Sequence, residues 1–409
     1  MPTVRAMNDS VVARSPTAET SPPAGVSLLI VATVASTIRN FLAPYAAHFR
    51  GLGWRVDAAG NGCGGDEVLQ EAFDHVYELP LSRSILDVSG ILRAERAISK
   101  LLDTRPDIVH AHTPIAGFVT RVAVRREPAE RRPAVAYTAH GFHFYEGGNP
   151  ATNALFLTAE RVAGRWTDRL VVINDEDEAT AERNRIVPPG RLVRMPGIGL
   201  DTRMYSPSTV PPDGPARVRS QLGIAADAPI FAVVGEHSRN KRQRDAITAL
   251  MSMRHPGAHL VLAGGGRERP TLETQAHGLG VEDRVHFLGF ISDVRPVVRT
   301  ATALLLPSKR EGLARSVMEA LSLEVPVIAS TARGNRELLG TDSGILYPTG
   351  DVAALADAMD WLIDHADEAR AMGLRGRDRM VEQYDLQVLI RMHEELYRAM
   401  LAERSPRPG

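Results

Sequence analysis

Two glutamates lie close together near the start of a predicted helix. Glu311 precedes Gly312, and Glu319 follows eight positions after Glu311. Apolar side chains recur at helical spacing from Leu313 to Leu321, so the sequence predicts a helix that begins near Gly312. The free N–H groups of such a helix can bind an anion such as a diphosphate, and a glycine allows close approach of a ligand. An acidic first turn that stabilises the helix dipole is the competing interpretation, and spacing alone leaves both open.

A second cluster of candidate residues is basic. Arg239, Lys241 and Arg242 follow a predicted buried strand at residues 231–234 and precede a predicted helix. The helix dipole disfavours cations at this end of a helix. A bound anion therefore explains the cluster better than a solvated helix start does.

Histidines follow two further predicted strands. His110 and His112 come at the end of one strand, and His140 and His143 follow the next. Histidines in such a group could indicate zinc, but no carboxylate or cysteine accompanies them at ligand spacing. We therefore expect no metal site here.

Three weaker patterns have ordinary structural explanations. Asp175 and Asp177 could hold Mg²⁺ or Mn²⁺, but they open a predicted helix, where acidic residues are expected. The glycines at residues 264–266 lack the third glycine of a dinucleotide fingerprint. Five arginines between Arg121 and Arg132 are typical of a solvated face, with contact to an anionic membrane as the alternative.

The elements that must position these residues alternate between strand and helix. Buried strands are predicted at residues 26–32, 54–58, 108–110, 134–137 and 170–173, and a stretch rich in proline and glycine follows near residue 200. The alternation restarts at residues 229–234. Two α/β domains, each with a parallel sheet covered by helices, are therefore predicted, with ligands bound in a cleft beyond the carboxyl ends of the strands.

The bulk composition is consistent with this organisation. A chain of 409 residues is too long for one ordinary core, and a net charge of −1 gives no field that would recruit nucleic acid. The one cysteine, Cys63, suits a reducing compartment, and no apolar run approaches the ~20 residues that span a bilayer. We expect a cytoplasmic protein whose residues 1–25 form a disordered lead-in.

The run of residues 311–320 resembles the Glu, seven residues, Glu signature of the family 4 retaining glycosyltransferases. Residues 325–330, 334–337 and 344–348 also match that family, and the similarity extends from Val26 to about Leu401. It is strongest to the subgroup that acts in capsule and exopolysaccharide pathways. One departure is Glu324, where the family usually has glycine. It is expected at a helix end, with little effect on the chemistry.

The resemblance implies two Rossmann-like domains that face each other across a cleft, the GT-B fold. Residues 26–200 would bind the acceptor, and residues 201–384 would bind the nucleotide-sugar. Residues 385–409 would form a helix that crosses back to the N-terminal domain, and apolar side chains between Leu386 and Met400 support this packing.

The resemblance also implies roles for particular residues. His140 and Glu311 would contact the donor sugar, Lys241 would pair with the diphosphate, with Arg239 as a candidate second charge, and Glu319 would bind the ribose. His143 would be structural or lie on the acceptor side. The remaining donor-binding candidates are Gly235, Gly312, Leu313, Ala314, Gly289 and Phe290.

The expected reaction moves a sugar from a nucleotide-sugar, with UDP as the expected nucleotide, to a hydroxyl acceptor in glycoconjugate, polysaccharide or glycosylated natural-product biosynthesis. It needs no cofactor and no metal, and the N-terminal domain could contact the inner face of a membrane. A nucleotide-sugar 2-epimerase has the same architecture and would release free UDP without an acceptor. A non-catalytic sugar-nucleotide binding protein would need Lys241 and Glu319 but not His140.

Overall fold

The computed structural model describes residues 25–82, 87–145 and 148–404. Nearly all of the predicted lead-in, residues 1–25, lies outside these ranges, as do residues 405–409 at the end of the predicted C-terminal segment. Within the described ranges no helix is long and apolar enough to cross a membrane.

The N-terminal domain is a parallel sheet with helices on both faces. Among the described residues its seven strands are β1 (Ser27–Val34), β2 (Arg55–Asn61), β3 (His75–Glu78), β4 (Ile108–His112), β5 (Ala134–Ala139), β6 (Arg169–Val172) and β7 (Leu192–Arg194). Its helices are α1 (Ala35–Thr37), α2 (Ala43–Gly51), α3 (Glu67–Ala72), α4 (Val88–Leu101), α5 (Pro114–Arg126), α6 (Pro150–Gly164) and α7 (Asp175–Arg183). The strand order is β3-β2-β1-β4-β5-β6-β7. Successive strands are added first on one side of β1 and then, from β4 onward, on the other side, so the strand order reverses between β1 and β4.

The C-terminal domain repeats this plan. Its six strands in the described ranges are β8 (Ile230–Val234), β9 (His259–Ala263), β10 (Val285–Gly289), β11 (Ala303–Leu306), β12 (Val327–Ser330) and β13 (Gly344–Tyr347). Its helices are α8 (Gly214–Leu222), α9 (Gln243–Ser252), α10 (Arg269–Gly278), α11 (Arg295–Thr300), α12 (Arg315–Ser322), α13 (Asn335–Leu339), α14 (Val352–Asp364) and α15 (Ala366–Gln383). The order β10-β9-β8-β11-β12-β13 reverses between β8 and β11. Ligands of open α/β sheets bind at such reversal points, beyond the carboxyl ends of the strands.

The last helix, α16 (Leu386–Arg404), packs on the N-terminal domain. Its apolar side chains join the core under β1 and β2, where Tyr397 lies 5.1 Å from Phe49 between ring centroids. At the crossing, the Leu200 N–H donates to Tyr384 O at 2.9 Å, and the Leu386 N–H donates to Leu200 O at 2.9 Å. The predicted return of the C-terminal helix is therefore confirmed.

The arginine-rich stretch of residues 121–132 is not a uniform solvated face. Arg121 is fully buried, donates to Glu160 Oε2 at 2.9 Å and lies 4.0 Å above the centre of the Tyr137 ring. Arg126 pairs with Glu95 at 2.7 Å. The inclusion of Arg121 in a surface patch was wrong, because helical spacing places it on the face of α5 that contacts α6.

Glu324 lies just after α12 with a positive φ of 60°. This left-handed conformation is strained for residues other than glycine, which explains why glycine is usual at this position in the family. Its carboxylate makes only a long contact of 3.9 Å with Arg377 Nε. Glu324 is therefore strained without a strong compensating interaction, and it lies outside the cleft.

We expect Glu324→Gly to stabilise the protein by about 0.5–1 kcal/mol, because relief of the left-handed strain exceeds the entropy that glycine adds to the unfolded chain. Thermal unfolding followed by calorimetry measures this change. Glu324→Ala is the matched control, because it also removes the carboxylate but keeps the strain. Equal stabilisation by both variants would contradict the explanation.

Candidate active site

The carboxyl ends of the two sheets face each other across a cleft. A cavity of about 260 Å³ lies between them. Its lining residues from the N-terminal side are Thr37, Phe41, Thr113, His140, Ile173, Gly197, Ile198 and Gly199, and those from the C-terminal side are Gly312, Leu313, Arg315 and Met318. Thr113 follows β4, and Gly312 lies in the loop after β11, so each sheet contributes its reversal point to the cleft.

Lys241 and Glu311 form an ion pair at 2.8 Å between Nζ and Oε1. The loops that carry them are also joined, because the Asn240 side chain donates to Arg310 O at 2.9 Å. Gly235, at the end of β8, has a φ of 150° and lies directly under the Lys241 side chain. An anion that enters the cleft would compete with Glu311 for the Lys241 ammonium group.

The loop before α12 is extended rather than helical. The helix begins at Arg315, three residues later than predicted, with Ala314 as its N-cap residue at φ −77° and ψ 113°. The reason is tertiary: a Cβ on Gly312 would lie 2.6 Å from His140 O. Residues 312–314 therefore form a non-helical loop next to the His140 loop, and their N–H groups precede the helix instead of forming its first turn.

Glu319 is the buried member of an i,i+4 pair on α12. Its Oε1 accepts a hydrogen bond from Arg315 Nε at 2.8 Å, and the side chain of Glu319 is 9% exposed. Arg315 also donates from Nη1 to Asn40 O at 3.0 Å, which connects the two domains. Sequence reasoning did not assign Arg315 a role, although its spacing from Glu319 was a usable signal.

His140 is half-buried at the cavity and is held by a second histidine. Its Nε2 lies 3.1 Å from His112 Nδ1, and burial lowers the pKa of His140 to about 4. His110 lies behind them, with Nε2 at 2.7 Å from Thr138 Oγ1 and Nδ1 at 2.5 Å from the Tyr397 hydroxyl. These rings are therefore neutral at pH 7. Across the described residues, no group of three or more His, Cys, Asp or Glu side chains is arranged to hold a metal ion.

A second cavity, of about 270 Å³, adjoins the first on the N-terminal domain. Its lining residues are Thr33, Val34, Thr37, Thr113, Pro114, Ile115, His143 and Phe156. Thr37 and Thr113 line both cavities. Thr113 has a φ of 71°, which is strained for a β-branched residue, and its hydroxyl lies 2.6 Å from Thr33 Oγ1.

Two predicted donor-binding residues are almost fully exposed. The Arg239 side chain is 93% exposed and approaches Glu268 only at 3.6 Å. Phe290 is 87% exposed just beyond β10, and the carbonyl of Gly289 accepts the Gly264 N–H at 2.7 Å. The structure therefore brings His140, Glu311, Lys241 and the 312–314 loop together, while Arg239 and Phe290 face solvent.

The acidic residues at the start of α7 lie in its first turn, as predicted, but the capping side chain is that of Asn174. Asn174 is the N-cap residue and accepts the Asp177 N–H at 2.7 Å. The fully buried Asp177 carboxylate pairs with Arg333 from the other domain at 2.9 Å. Sequence reasoning missed Arg333, because its partner lies far away in the chain.

The fold and the cleft together define a two-domain α/β protein with the GT-B fold. Among solved structures, the chain is similar to Anabaena HepE in complex with UDP, with a TM-score of 0.77, 19% identity and coverage of 91% of this chain and 100% of that one. Sucrose-phosphate synthase from Thermosynechococcus elongatus gives a TM-score of 0.79 at 20% identity, with coverage of 92% and 100%.

Sequence comparison gives the family. A model described as "Glycosyl transferases group 1" matches residues 216–379, and one described as "Glycosyl transferase 4-like domain" matches residues 36–197. EpsD of Bacillus subtilis, which is named as a glycosyltransferase, is 34% identical over 354 residues that cover 86% of this chain and 91% of EpsD. The chain belongs to the group 1, family 4-like glycosyltransferases.

We expect the protein to lose stability in mild acid, because two of its histidines have lowered pKa values. The pKa values of His140 and His393 fall from 6.5 to about 4, first because of burial, while an unfolded histidine titrates near ~6.5. Between these pH values the unfolded chain binds more protons than the folded one, so the free energy of unfolding falls as the pH is lowered from 6.5 towards 4. Thermal midpoints measured between pH 8 and pH 5 test this.

His393→Gln is the matched variant, because glutamine can donate to Leu389 O as His393 Nδ1 does at 2.8 Å, but it does not titrate. We expect a shallower dependence of its thermal midpoint on pH. A wild-type midpoint that stays constant from pH 8 to pH 5 would be incompatible with neutral buried histidines.

Proposed function

We propose that this glycosyltransferase is a retaining enzyme that moves a sugar from a UDP-sugar to a hydroxyl group of an acceptor in glycoconjugate or polysaccharide biosynthesis. The observation that carries the proposal is a cleft lined by Gly312 and Leu313 on one side and by His140 on the other, with the Lys241–Glu311 ion pair in the loops next to Gly312. Lys241 and main-chain N–H groups can bind a diphosphate, and His140 can donate or accept a hydrogen bond with a sugar hydroxyl. These groups together suit a nucleoside diphosphate sugar.

In the proposed complex, the C-terminal domain holds the donor. Lys241 and the N–H groups of residues 312–314 neutralise the diphosphate as it leaves. The buried carboxylate of Glu319 accepts hydrogen bonds from the ribose hydroxyls, and Glu311 is oriented by Lys241 toward the sugar. Two relatives support a nucleotide-linked donor, since HepE is described with UDP and an Escherichia coli galactosyltransferase at 22% identity is named for UDP-Gal.

The acceptor would occupy the second cavity, next to His143 and Phe156. Its hydroxyl attacks the anomeric carbon from the face that the diphosphate leaves. The bond from that carbon to the phosphate oxygen breaks, the bond to the acceptor oxygen forms, and the hydroxyl proton passes to the departing phosphate. This route requires no carboxylate that acts as a covalent nucleophile.

The same proposal places the enzyme in the cytoplasm, with contact to the inner face of a membrane through the N-terminal domain. Arg125 and Arg131 remain exposed in the arginine-rich stretch and could make that contact. Nucleic acid is not an expected partner, because the chain carries a net charge of −1.

UDP should stabilise the protein against thermal unfolding more than GDP or TDP, because a ligand that binds only the folded state raises its apparent stability. Glu319→Ala removes the carboxylate and should weaken UDP binding by about 1.5–3 kcal/mol, or roughly 10- to 150-fold, in calorimetry. Glu324→Ala, an acidic substitution outside the cleft, is the control and should bind UDP normally. An unchanged dissociation constant for Glu319→Ala would remove the ribose role.

Turnover should not depend on a divalent metal, because Lys241 and the 312–314 N–H groups supply the positive field. We expect exhaustive chelation to leave the rate of sugar transfer within a few-fold of the untreated enzyme. Activity that is lost on chelation and restored by Mg²⁺ or Mn²⁺ would contradict this expectation.

A further inference from the structure

Arg333 reaches across the cleft from the C-terminal domain into the N-terminal domain. It lies in the loop between β12 and α13, and its side chain is 8% exposed. Nη1 donates to Asp177 Oδ1 at 2.9 Å, and Nη2 donates to Phe142 O at 3.1 Å. One guanidinium group therefore contacts both a side chain and the main chain of the opposite domain.

The main-chain contact lies in the loop that carries His140. The Phe142 N–H donates to Asp177 Oδ1 at 3.3 Å, so both polar groups of Phe142 are held by the Arg333–Asp177 pair. Gly141 lies between Phe142 and His140, and a Cβ at Gly141 would be 3.1 Å from Arg333 Nη2. The pair thus fixes the backbone two residues beyond His140.

The backbones of the two domains also lie close together in this region. A Cβ on Gly312 would lie 2.6 Å from His140 O of the other domain. Within the C-terminal domain, a Cβ on Gly334, the residue after Arg333, would lie 1.6 Å from Gly312 O, so the Arg333 loop packs on the loop that contacts His140. Because Arg333 and Asp177 lie on different domains, their contact exists only while the cleft is closed to this degree.

We propose that Arg333 is a positioning residue that fixes the His140 loop when the domains close, so that His140 reaches the donor sugar only in the closed enzyme. This rests on the proposed function, in which His140 contacts that sugar. Arginine suits the role because its planar group donates to two acceptors in a set geometry. Removal of Arg333 also leaves the fully buried Asp177 carboxylate without its charged partner, which loosens the loop further.

A second interdomain ion pair provides a matched control. Arg194, at the end of β7, pairs with Glu337 of α13 and with Asp175 at 3.1 Å. The Asp175 N–H also donates to Glu337 Oε1 at 2.8 Å. This cluster joins the same two domains, but none of these contacts involves residues 140–142. Arg194→Ala therefore weakens closure while it leaves the contacts of the His140 loop in place.

The experiment compares Arg333→Ala, Arg333→Lys and Arg194→Ala with the wild type. We expect Arg333→Ala to lower kcat at least tenfold more than Arg194→Ala does, with the dissociation constant for UDP within threefold of wild type in both. Amide hydrogen exchange of residues 140–142 in the UDP complex should accelerate in Arg333→Ala but not in Arg194→Ala. Arg333→Lys can still pair with Asp177 but not hold both acceptors, and should be intermediate in kcat and in exchange.

Equal losses of kcat in Arg333→Ala and Arg194→Ala, with unchanged exchange of residues 140–142, would overturn the proposal, because Arg333 would then only hold the domains together. If Arg333→Ala does not fold, the proposal is tested with Arg333→Lys, by its kcat and by its amide hydrogen exchange at residues 140–142. Failure of the wild type to bind UDP or transfer a sugar would instead contradict the proposed function. In that case, exchange of residues 140–142 in the protein alone still shows whether Arg333 holds the loop.

Discussion

The main chain of Gly312 lies against the carbonyl group of His140, and the geometry of the cleft depends on this contact. A Cβ at Gly312 would come within 2.6 Å of that oxygen, and Gly334 has the same relation to the carbonyl of Gly312. Since neither position has space for a side chain, the backbones of both domains can enclose one small volume. Gly312 and Leu313 line the cavity opposite His140 for this reason.

A second constraint is that the chain crosses between the domains twice at almost the same place. Leu200 on the outward crossing exchanges main-chain hydrogen bonds with Tyr384 and Leu386 on the return crossing. After the return crossing, α16 completes the core of the N-terminal domain, so each domain has its own packed interior. A change in the angle between the domains would therefore be concentrated near Leu200 and in the polar contacts that bridge the cleft. Arg315 and Arg333 make such contacts, and both lie beside catalytic candidates.

Much of the fold was predictable because it depends on local pattern. Continuous apolar runs identified the central strands, and the apolar face from Leu386 to Met400 indicated a helix that had to be buried against another element. The edge strands His75–Glu78 and Leu192–Arg194 were missed. They are short and at most partly buried: the first has a polar residue at each end, and the second has only three residues, so both lack the apolar run that marks a central parallel strand.

The sequence by itself determined where Glu311, Glu319 and Lys241 lie relative to the strands and helices, because they belong to short segments whose spacing and position after strands are local properties. Only the tertiary structure decided where α12 begins, since residues 312–314 form a non-helical loop where Gly312 approaches the His140 carbonyl group. It also decided the partner of Arg333, because a side chain at a loop position can pair with any element that folding brings near it. Residues at such positions follow no period along the chain, so the physical reason for their role appears only when both domains are in place.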